Sequence, residues 1–324
     1  MKPSNQLFER IYSFCQEQNL LSPGSTIIVG LSGGPDSVFL LHYLASLRQE
    51  MNLTLIAAHL DHGWRAESTK DAQFCQQVAD GYQIPLIIKN LKDMQVSFKS
   101  NGSKEELGRK ARRAFFEQVA QEHGATAIAL AHHADDQMET FIMRLIRGAS
   151  LTGLAGMKAK DGLYIRPLLT ISKQEILDYL HEHKIPYVID ASNESDEYLR
   201  NRIRNSVIPA LKSCDDRYEK NFANTHAKLI ETEKFLQQMA TTTLLTIANE
   251  NNALDIQKLL ALNPVLRNRV LINWMIIHKV PFTPSQGLLN EIVRFLENSK
   301  NNTHTLYQKW HLVKKENKVR FSLS

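Results

Sequence analysis

The chain has 324 residues and is 43% hydrophobic, enough for the cores of two domains, while its net charge of +5 permits a nucleic-acid partner without requiring one. Its three cysteines (Cys15, Cys75 and Cys214) are too widely spaced for a paired-cysteine metal site, and their odd number argues against a disulfide framework. Because no apolar run could span a bilayer and the start lacks a signal-peptide core, we expect a soluble cytoplasmic protein with no membrane partner.

The stretch from Ser25 to Ser37 predicts a buried strand, a glycine turn and the start of a helix. Residues 27–29 are continuously apolar and β-branched, as in a parallel strand that is covered on both faces. Gly33 and Gly34 remove the Cβ atoms that would keep a ligand from the backbone, and the following helix points its unpaired N–H groups into the turn.

The full string Ser32-Gly33-Gly34-Pro35-Asp36-Ser37 favours a phosphate-binding loop over an ordinary strand-to-helix turn. It is not a Walker A loop, because no Gly-Lys-Ser/Thr follows. Since a carboxylate beside phosphates would be repulsive by itself, Asp36 implies a bridging Mg²⁺.

Alternating strands and helices continue along the first two-thirds of the chain. Further strands are predicted at 53–59, 85–88 and 126–131, and further helices begin near Ser4, Ser68, Ser103, residue 134 and Ser172. The glycine-rich segment Gly148–Gly162 reads as a mobile loop. This order predicts an α/β fold with a doubly wound parallel sheet, in which ligands bind at the carboxyl ends of the strands.

The last third of the chain is predicted to be a smaller, mostly α-helical domain. Its boundary is placed near Cys214–Asp216, which gives domains of residues 1–215 and 216–324. A long helix over 218–249 is expected first, with a buried seam of Phe222, His226, Leu229, Phe235, Leu236 and Met239. Shorter helices are expected at 256–262, 264–278 and 284–298, followed by two short strands within 304–323.

Three acids and two histidines follow the predicted fourth strand. Asp136 and Glu139 are three residues apart at a helix start and therefore share one face. Helix capping would explain one carboxylate, but three acids in this segment (with Asp135) favour a catalytic or metal-binding role for Asp136 and Glu139. A zinc site from His132 and His133 is disfavoured, because adjacent side chains diverge.

Two groups of arginines occur at helical spacing: Arg109, Arg112 and Arg113, and then Arg200 and Arg204. A solvated basic face is the usual explanation of such spacing. The second group follows a polar turn at Asn193, so it could instead clamp a phosphate or a nucleic-acid backbone.

Several of these segments resemble known families. The glycine turn resembles the pyrophosphate loop of the N-type ATP pyrophosphatases, with their adenine nucleotide α-hydrolase-like fold. Four others resemble motifs of the tRNA(Ile)-lysidine synthases: residues 60–68, Glu105…Arg109…Arg112…Phe116, residues 132–140, and Asp190–Asn193 with Arg200–Arg204. Arg113 stands where that family more usually has an aromatic residue. The region after Tyr218 resembles the family's tRNA-recognition domain only in size and pattern, and the chain is expected to lack the further C-terminal domain of longer members.

The resemblance implies a two-step ligation that uses ATP and Mg²⁺. Carbon 2 of the wobble cytidine of tRNA(Ile) with a CAU anticodon is activated as an adenylate, and the ε-amine of free L-lysine then displaces AMP to give lysidine. ATP is assigned to Ser32, Gly33, Gly34, Pro35, Asp36, Ser37, His59 and His133, and Mg²⁺ to Asp36 and Asp136. Asp36, Arg112, Asp136, Glu139 and Arg204 are the predicted catalytic residues: the acids for Mg²⁺ or the lysine amine, and the arginines for the phosphates or the tRNA.

Other functions remain open at this stage. A tRNA thiolase of the 2-thiocytidine type shares the ATP-activating loop, but it needs paired cysteines that this chain lacks. An amidotransferase would need a glutamine-hydrolysing domain, and a non-catalytic tRNA-binding protein would not need Asp36, Asp136 and Glu139. The sequence leaves the oligomeric state open, with a homodimer among the alternatives.

Overall fold

The structure is a computed structural model, which describes residues 3–63, 68–94, 104–189, 198–281, 284–298, 302–307 and 309–323. The motif residues Trp64–Glu67 and Asp190–Asn193 lie outside the described residues. The chain divides into two compact units, residues 1–224 and 225–324, whereas the domain boundary predicted at 215/216 stays a prediction. Within the described part of the chain, no helix has both the length and the apolarity needed to cross a membrane.

The first unit is a parallel sheet with helices. Its strands are β1 (Thr26–Gly30), β2 (Thr54–Asp61), β3 (Leu86–Asn90), β4 (Ala127–Ala129), β5 (Lys160–Asp161) and β6 (Tyr164–Ile165). Its helices are α1 (Pro3–Glu17), α2 (Pro35–Leu47), α3 (Ser68–Gly81), α4 (Lys104–Glu122), α5 (Ala134–Ile146), α6 (Leu151–Leu154), α7 (Lys173–Glu182), α8 (Leu199–Arg202), a π turn (Ile203–Val207) and α9 (Ile208–Cys214). The thirty-residue α10 (Tyr218–Ile247) follows.

The sheet order is β3-β2-β1-β4-β6-β5, with all neighbours parallel except β5 and β6. The predicted parallel, doubly wound sheet is therefore confirmed. Ile27, Ile28 and Val29 of β1 are completely buried, as their continuous apolarity predicts. From β1 the chain first runs outward to β2 and β3, and then returns to place β4 on the other side of β1. This reversal opens a crevice between the carboxyl ends of β1 and β4, the usual ligand position in such sheets.

The prediction that Gly148–Gly162 is entirely a loop is wrong, and the mobility predicted for it stays a prediction. The segment contains α6 and β5, and two side chains of α5 hold it in place. The Gln137 amide donates to the carbonyl of Met157 (2.8 Å) and accepts from its N–H (2.7 Å). Arg144 donates to the carbonyl oxygens of Gly153 and Gly156. Glycine content alone could not reveal these tertiary hydrogen bonds.

The second unit combines helices with a small antiparallel sheet. Besides the end of α10, it contains α11 (Ile256–Leu260), α12 (Pro264–Ile277) and α13 (Gln286–Glu297), and strands β7 (Leu254–Asp255), β8 (Thr303–Tyr307), β9 (Trp310–Lys315) and β10 (Lys318–Leu323). The sheet order is β7-β10-β9-β8, and the core includes Trp274, Leu312 and Val319. The mostly helical character is confirmed. Two strands were expected at the end of the chain, but three are present, and β7, which lies much earlier in the sequence, pairs with β10 in the same sheet.

The seam predicted for α10 is wrong at two positions. Phe235 is 61% exposed and Met239 40% exposed. His226 is buried as predicted, and the other buried positions of this helix are Glu233, Ala240, Leu244 and Ile247. Glu233 can be buried because Arg269 donates to both of its carboxylate oxygens, at 2.8 and 2.6 Å.

Candidate active site

The glycine turn joins β1 to α2 as predicted. Two serine hydroxyls brace it: Ser37 Oγ donates to the carbonyl of Gly34 (2.9 Å) and accepts from the N–H of Ser32 (3.1 Å). The Ser32 hydroxyl lies 3.1 Å from that of Ser37. Pro35 opens the helix where no N–H partner is needed, so the turn presents its backbone at the N-terminus of α2.

Glycine is required at position 33 for two reasons. Its φ of +83° lies in the left-handed region that residues with a Cβ rarely adopt, and a Cβ there would lie 3.3 Å from Phe74 and 3.4 Å from the Cys75 sulfur. The Gly33 carbonyl accepts a hydrogen bond from the N–H of Val188 (2.9 Å), which ties the turn to the segment after α7.

His59, on β2, reaches the base of the turn. Its Nδ1 lies 2.9 Å from the carbonyl oxygen of Leu31. A carbonyl can only accept, so Nδ1 carries the proton, and a neutral ring then has Nε2 as its acceptor. His59 is buried and lines the cavity described below, in the neighbourhood predicted for the nucleotide.

The acidic turn follows β4, beside the glycine turn. His133 precedes α5 at its N-cap position, and its backbone N–H donates to a carboxylate oxygen of Asp136 (3.0 Å). Asp136 therefore caps α5, as the capping alternative allows, but its other oxygen faces an arginine. Burial raises the pKa of Asp136, and the positive charges around it (His133 and Arg200) lower it more, so the net pKa is below its usual value.

Three carboxylates surround the buried imidazole of His133. Its Nε2 lies 3.7 Å from Asp36 and 3.5 Å from Asp136, and its Nδ1 lies 3.5 Å from Asp135. Burial lowers the pKa of His133, but these carboxylates raise it more, so its net pKa is above the usual value. The adjacent His132 behaves differently, since burial dominates there and lowers its pKa to about 4.

Arg200 and Arg204 close onto the acids of α5. Arg200 donates to Asp136 and to Glu139, at 2.6 Å each, and Arg204 donates to both oxygens of Glu139, at 2.5 and 3.1 Å. Glu139 is only 1% exposed. It therefore accepts three charge-assisted hydrogen bonds and fixes both guanidinium groups at the cavity wall.

Arg112 is held by a histidine. Its Nη2 donates to Nε2 of His62 at 2.9 Å, which requires a neutral imidazole. Burial, followed by the charge of Arg112, lowers the pKa of His62 to about 4, so the ring is neutral at physiological pH. Arg109 and Arg113, by contrast, are exposed and pair with Glu106 and Glu117 on α4 itself. For those two arginines the solvated-face interpretation is correct.

Lys173 was not singled out by the sequence. Its ammonium lies 2.5 Å from Asp36, and its backbone N–H donates to Asp135 (2.8 Å). A lysine after a helix-capping serine is ordinary in sequence, and only the return of the chain to α7 places it here. Arg200 was noted only as part of its segment, yet it contacts both Asp136 and Glu139.

The groups of the two turns line one cavity of about 960 Å³, together with Arg112, Lys173, Arg200 and Arg204. Of the predicted site residues, the lining includes Ser32, Gly34, Pro35, Asp36, Ser37, His59, Arg112, His133, Asp136, Glu139 and Arg204, and Gly33 is not part of it. The fold thus brings together the residues that were predicted from separate motifs. Their catalytic roles remain predictions.

The donor set suits Mg²⁺ held together with phosphates. Asp36 and Asp136 lie near the same His133 nitrogen, at 3.7 and 3.5 Å. Among the described residues, no group of three or more His, Cys, Asp or Glu side chains could hold a metal by itself. Mg²⁺ typically takes one or two carboxylates, with phosphate oxygens and water completing its shell, so these two residues fit that pattern.

The family model described as the PP-loop domain matches residues 3–211. The chain belongs to the PP-loop family. Use of ATP is the chemistry that this domain supports. The glycine turn at residues 32–37 lies within the matched region; it is predicted to be the phosphate-binding loop and is called the PP loop below.

The sequence similarity of this PP-loop protein to named relatives extends beyond the PP-loop domain. It is 37% identical to the tRNA(Ile)-lysidine synthase of Bacillus subtilis over 303 residues, which is 90% of this chain and 63% of that protein. It is 38% identical to the tRNA(Ile)-lysidine synthase of Geobacter sulfurreducens over 242 residues, 74% of this chain and 51% of that protein. The chain thus spans less than two-thirds of the length of these relatives.

A solved structure shares the fold. The U34-tRNA thiolase NcsA of Methanococcus maripaludis, with its [4Fe-4S] cluster, superposes with a TM-score of 0.59 at 20% identity, covering 70% of this chain and 78% of that chain. At that identity the similarity shows only that the PP-loop fold is common to both.

Proposed function

We propose that this chain uses ATP and Mg²⁺ to join L-lysine to carbon 2 of the wobble cytidine of tRNA(Ile) with a CAU anticodon, which gives lysidine. One observation carries the proposal: the PP loop and the cluster of Asp136, Glu139, Arg200 and Arg204 line the same cavity. The PP loop would bind ATP for adenylation, and the cluster would supply charged groups for the tRNA acceptor and for the lysine amine. The relatives named tRNA(Ile)-lysidine synthase support this choice of acceptor.

In the first step, the cytidine O2 attacks the α-phosphorus of ATP and pyrophosphate leaves. The N–H groups of the PP loop, with Ser32 and Ser37, bind the phosphates, and Asp36 and Asp136 would hold Mg²⁺, which neutralises phosphate charge when bound. Arg112, held by neutral His62, points its charge into the cavity and can offset charge that develops on the phosphates.

In the second step, the ε-amine of lysine attacks carbon 2 and AMP leaves. The amine must lose its protons, and the carboxylates of the cavity can receive them. We assign Glu139 a positioning role in this step, because both of its oxygens are bonded to arginines and its side chain is buried. Arg200 and Arg204 then present fixed positive charges to the departing AMP or to the tRNA backbone.

Formation of lysidine tests the proposal directly. The chain is incubated with tRNA(Ile) bearing CAU, ATP, Mg²⁺ and labelled lysine, and the digested nucleosides are analysed by mass spectrometry. Label should appear in a modified cytidine of that tRNA and not in methionine tRNA with the same anticodon. No label in either tRNA would overturn the proposal.

A parallel incubation with a sulfur donor in place of lysine tests the thiolase alternative. The cysteines offer no accessible pair for that reaction, since Cys15 and Cys75 are buried and burial raises the pKa of each thiol to about 12, which leaves Cys214 as the exposed one of the three. A product containing 2-thiocytidine would establish the alternative instead.

A further inference from the structure

The Lys173–Asp36 ion pair places a cation on the acid of the PP loop itself. The arginines and the other lysine that line the cavity have partners elsewhere: Arg112 bonds His62, Arg200 and Arg204 bond the acids of α5, and Lys212 pairs with Glu219. His133 also approaches Asp36, but at 3.7 Å, against 2.5 Å for Lys173. Lys173 instead contacts the carboxylate that the phosphate loop would offer to a metal. The pair thus lies at the position where nucleotide and metal would meet.

The backbone of Lys173 is fixed. Ser172 caps α7 in a capping box with Glu175, in which the N–H of Ser172 donates to the Glu175 carboxylate (2.9 Å). Arg10 holds the same carboxylate from α1. The N–H of Lys173 donates to Asp135 of the acidic turn. The backbone at Lys173 is therefore anchored to both α1 and α5.

The tip of Lys173 is held less firmly. Its side chain is 33% exposed, Asp36 is 27% exposed, and the ammonium has a flexible four-carbon stem. Solvent partly screens an ion pair with this exposure, so a stronger anion can compete for the ammonium. The phosphates of a nucleotide on the PP loop would be such an anion, within the same cavity.

We propose that Lys173 is an exchangeable counter-ion of the PP loop: it pairs with Asp36 before nucleotide binds, and it transfers to the phosphates of ATP when Asp36 takes up Mg²⁺. The inference rests on the proposed use of MgATP, but not on the identity of the acceptor. Its consequence is that metal and nucleotide bind as a unit. Metal alone must displace the ammonium from Asp36, whereas ATP gives the ammonium a new partner as the metal arrives.

Binding of Mn²⁺, a paramagnetic substitute for Mg²⁺, tests the exchange without any turnover. Free Mn²⁺ is measured by electron paramagnetic resonance, with the full chain alone and with a non-hydrolysable ATP analogue. The variants are Lys173→Met and, as a charge-preserving comparison, Lys173→Arg. Lys158→Met is the matched control, because Lys158 is exposed and does not line the cavity.

For Lys173→Met, Mn²⁺ without nucleotide should bind about three- to fivefold more tightly, the order expected when one partly exposed ion pair no longer competes. The ATP analogue should bind at least about tenfold more weakly, because a charged contact to phosphate is lost. Lys173→Arg should recover most of the analogue affinity, and Lys158→Met should match the wild type in both measurements.

Each half of the proposal can fail separately. Unchanged or weaker Mn²⁺ binding in a folded Lys173→Met protein would overturn the counter-ion role, and unchanged analogue affinity would overturn the transfer to phosphate. Circular dichroism establishes folding, and if Lys173→Met does not fold, the same measurements on Lys173→Gln decide. Because neither tRNA nor lysine is present, these results are independent of the test for lysidine.

Discussion

Replacing Glu139 by glutamine should destabilise the first unit, because it removes the charge that holds two arginines. The substitution keeps the shape of the side chain, which is 1% exposed. It removes the carboxylate that accepts hydrogen bonds from Arg200 (2.6 Å) and from Arg204 (2.5 and 3.1 Å). The glutamine amide also turns one acceptor oxygen into a donor that faces a guanidinium.

The magnitude follows from burial and from the remaining partners. Breaking a fully buried ion pair on one side costs about 3–5 kcal/mol. Here the arginine side chains are 30% and 38% exposed, and Asp136 still pairs with Arg200, so we expect a smaller loss. The free energy of unfolding should fall by about 2–3 kcal/mol, and the melting temperature by roughly 4–12 °C for a unit of this size.

Hydrogen exchange during a urea titration measures this loss in the right part of the chain. Peptides from α5 should lose protection at lower urea in Glu139→Gln, whereas peptides from α12 should not change. The control is Glu106→Gln, which removes an exposed pair with Arg109 and should cost below about 1 kcal/mol. Equal losses for the two variants would refute the claim that Glu139 is the buried anchor of this cluster.

Three further predictions concern the turns and a neutral histidine. Gly33→Ala should weaken binding of an ATP analogue, measured by calorimetry, and lower the free energy of unfolding in urea by about 1–3 kcal/mol. Gly162→Ala is the control: its φ is +60° but a Cβ there would meet open space, so it should lower the free energy of unfolding less and leave binding intact. Gly30→Ala should lower the free energy of unfolding in urea by about 1–3 kcal/mol, because a Cβ would lie 3.0 Å from the Phe116 ring. Wild-type stability of this variant would contradict the prediction. His62, with its pKa lowered from 6.5 to about 4, stabilises the fold fully above pH 6.5 and progressively less as the pH falls toward 4. His62→Gln should therefore flatten the loss of stability over that range, and an unchanged slope would contradict the assignment of a neutral ring.

Local patterns predicted most of the first unit correctly, because its signals are short in range. The apolar run of β1, the glycines of the turn and the acids at the start of α5 each indicate their own structure. The rule that ligands bind at the carboxyl ends of parallel strands then places the two turns side by side. Their neighbourhood in space could therefore be predicted before the structure was known.

Partners from distant parts of the chain could not be predicted in that way. Lys173 is 137 residues from Asp36 in sequence, and no periodicity connects them. Arg200 and Arg204 resemble a solvated basic face until α5 is placed against them. Because such pairs depend on which elements return to the crevice, the pairs themselves became visible only with the fold.

The second unit shows a related limit. The seam assigned to α10 selected large apolar residues, yet Phe235 and Met239 are exposed while Glu233 is buried against Arg269. Hydrophobic periodicity assumes that charged residues face solvent, and a buried ion pair breaks that assumption. The strand β7 is only two residues long, too short for any alternation to indicate it.

Transfer of AMP to the tRNA is the step on which the proposed ligation depends. The chain is mixed with ATP labelled at the α-phosphate and with tRNA(Ile) bearing CAU, first without lysine and then with it. Label should appear on the tRNA in the first stage, with release of pyrophosphate, and it should leave as AMP when lysine is added. Label that never reaches the tRNA, or that lysine does not release, would contradict the proposed reaction.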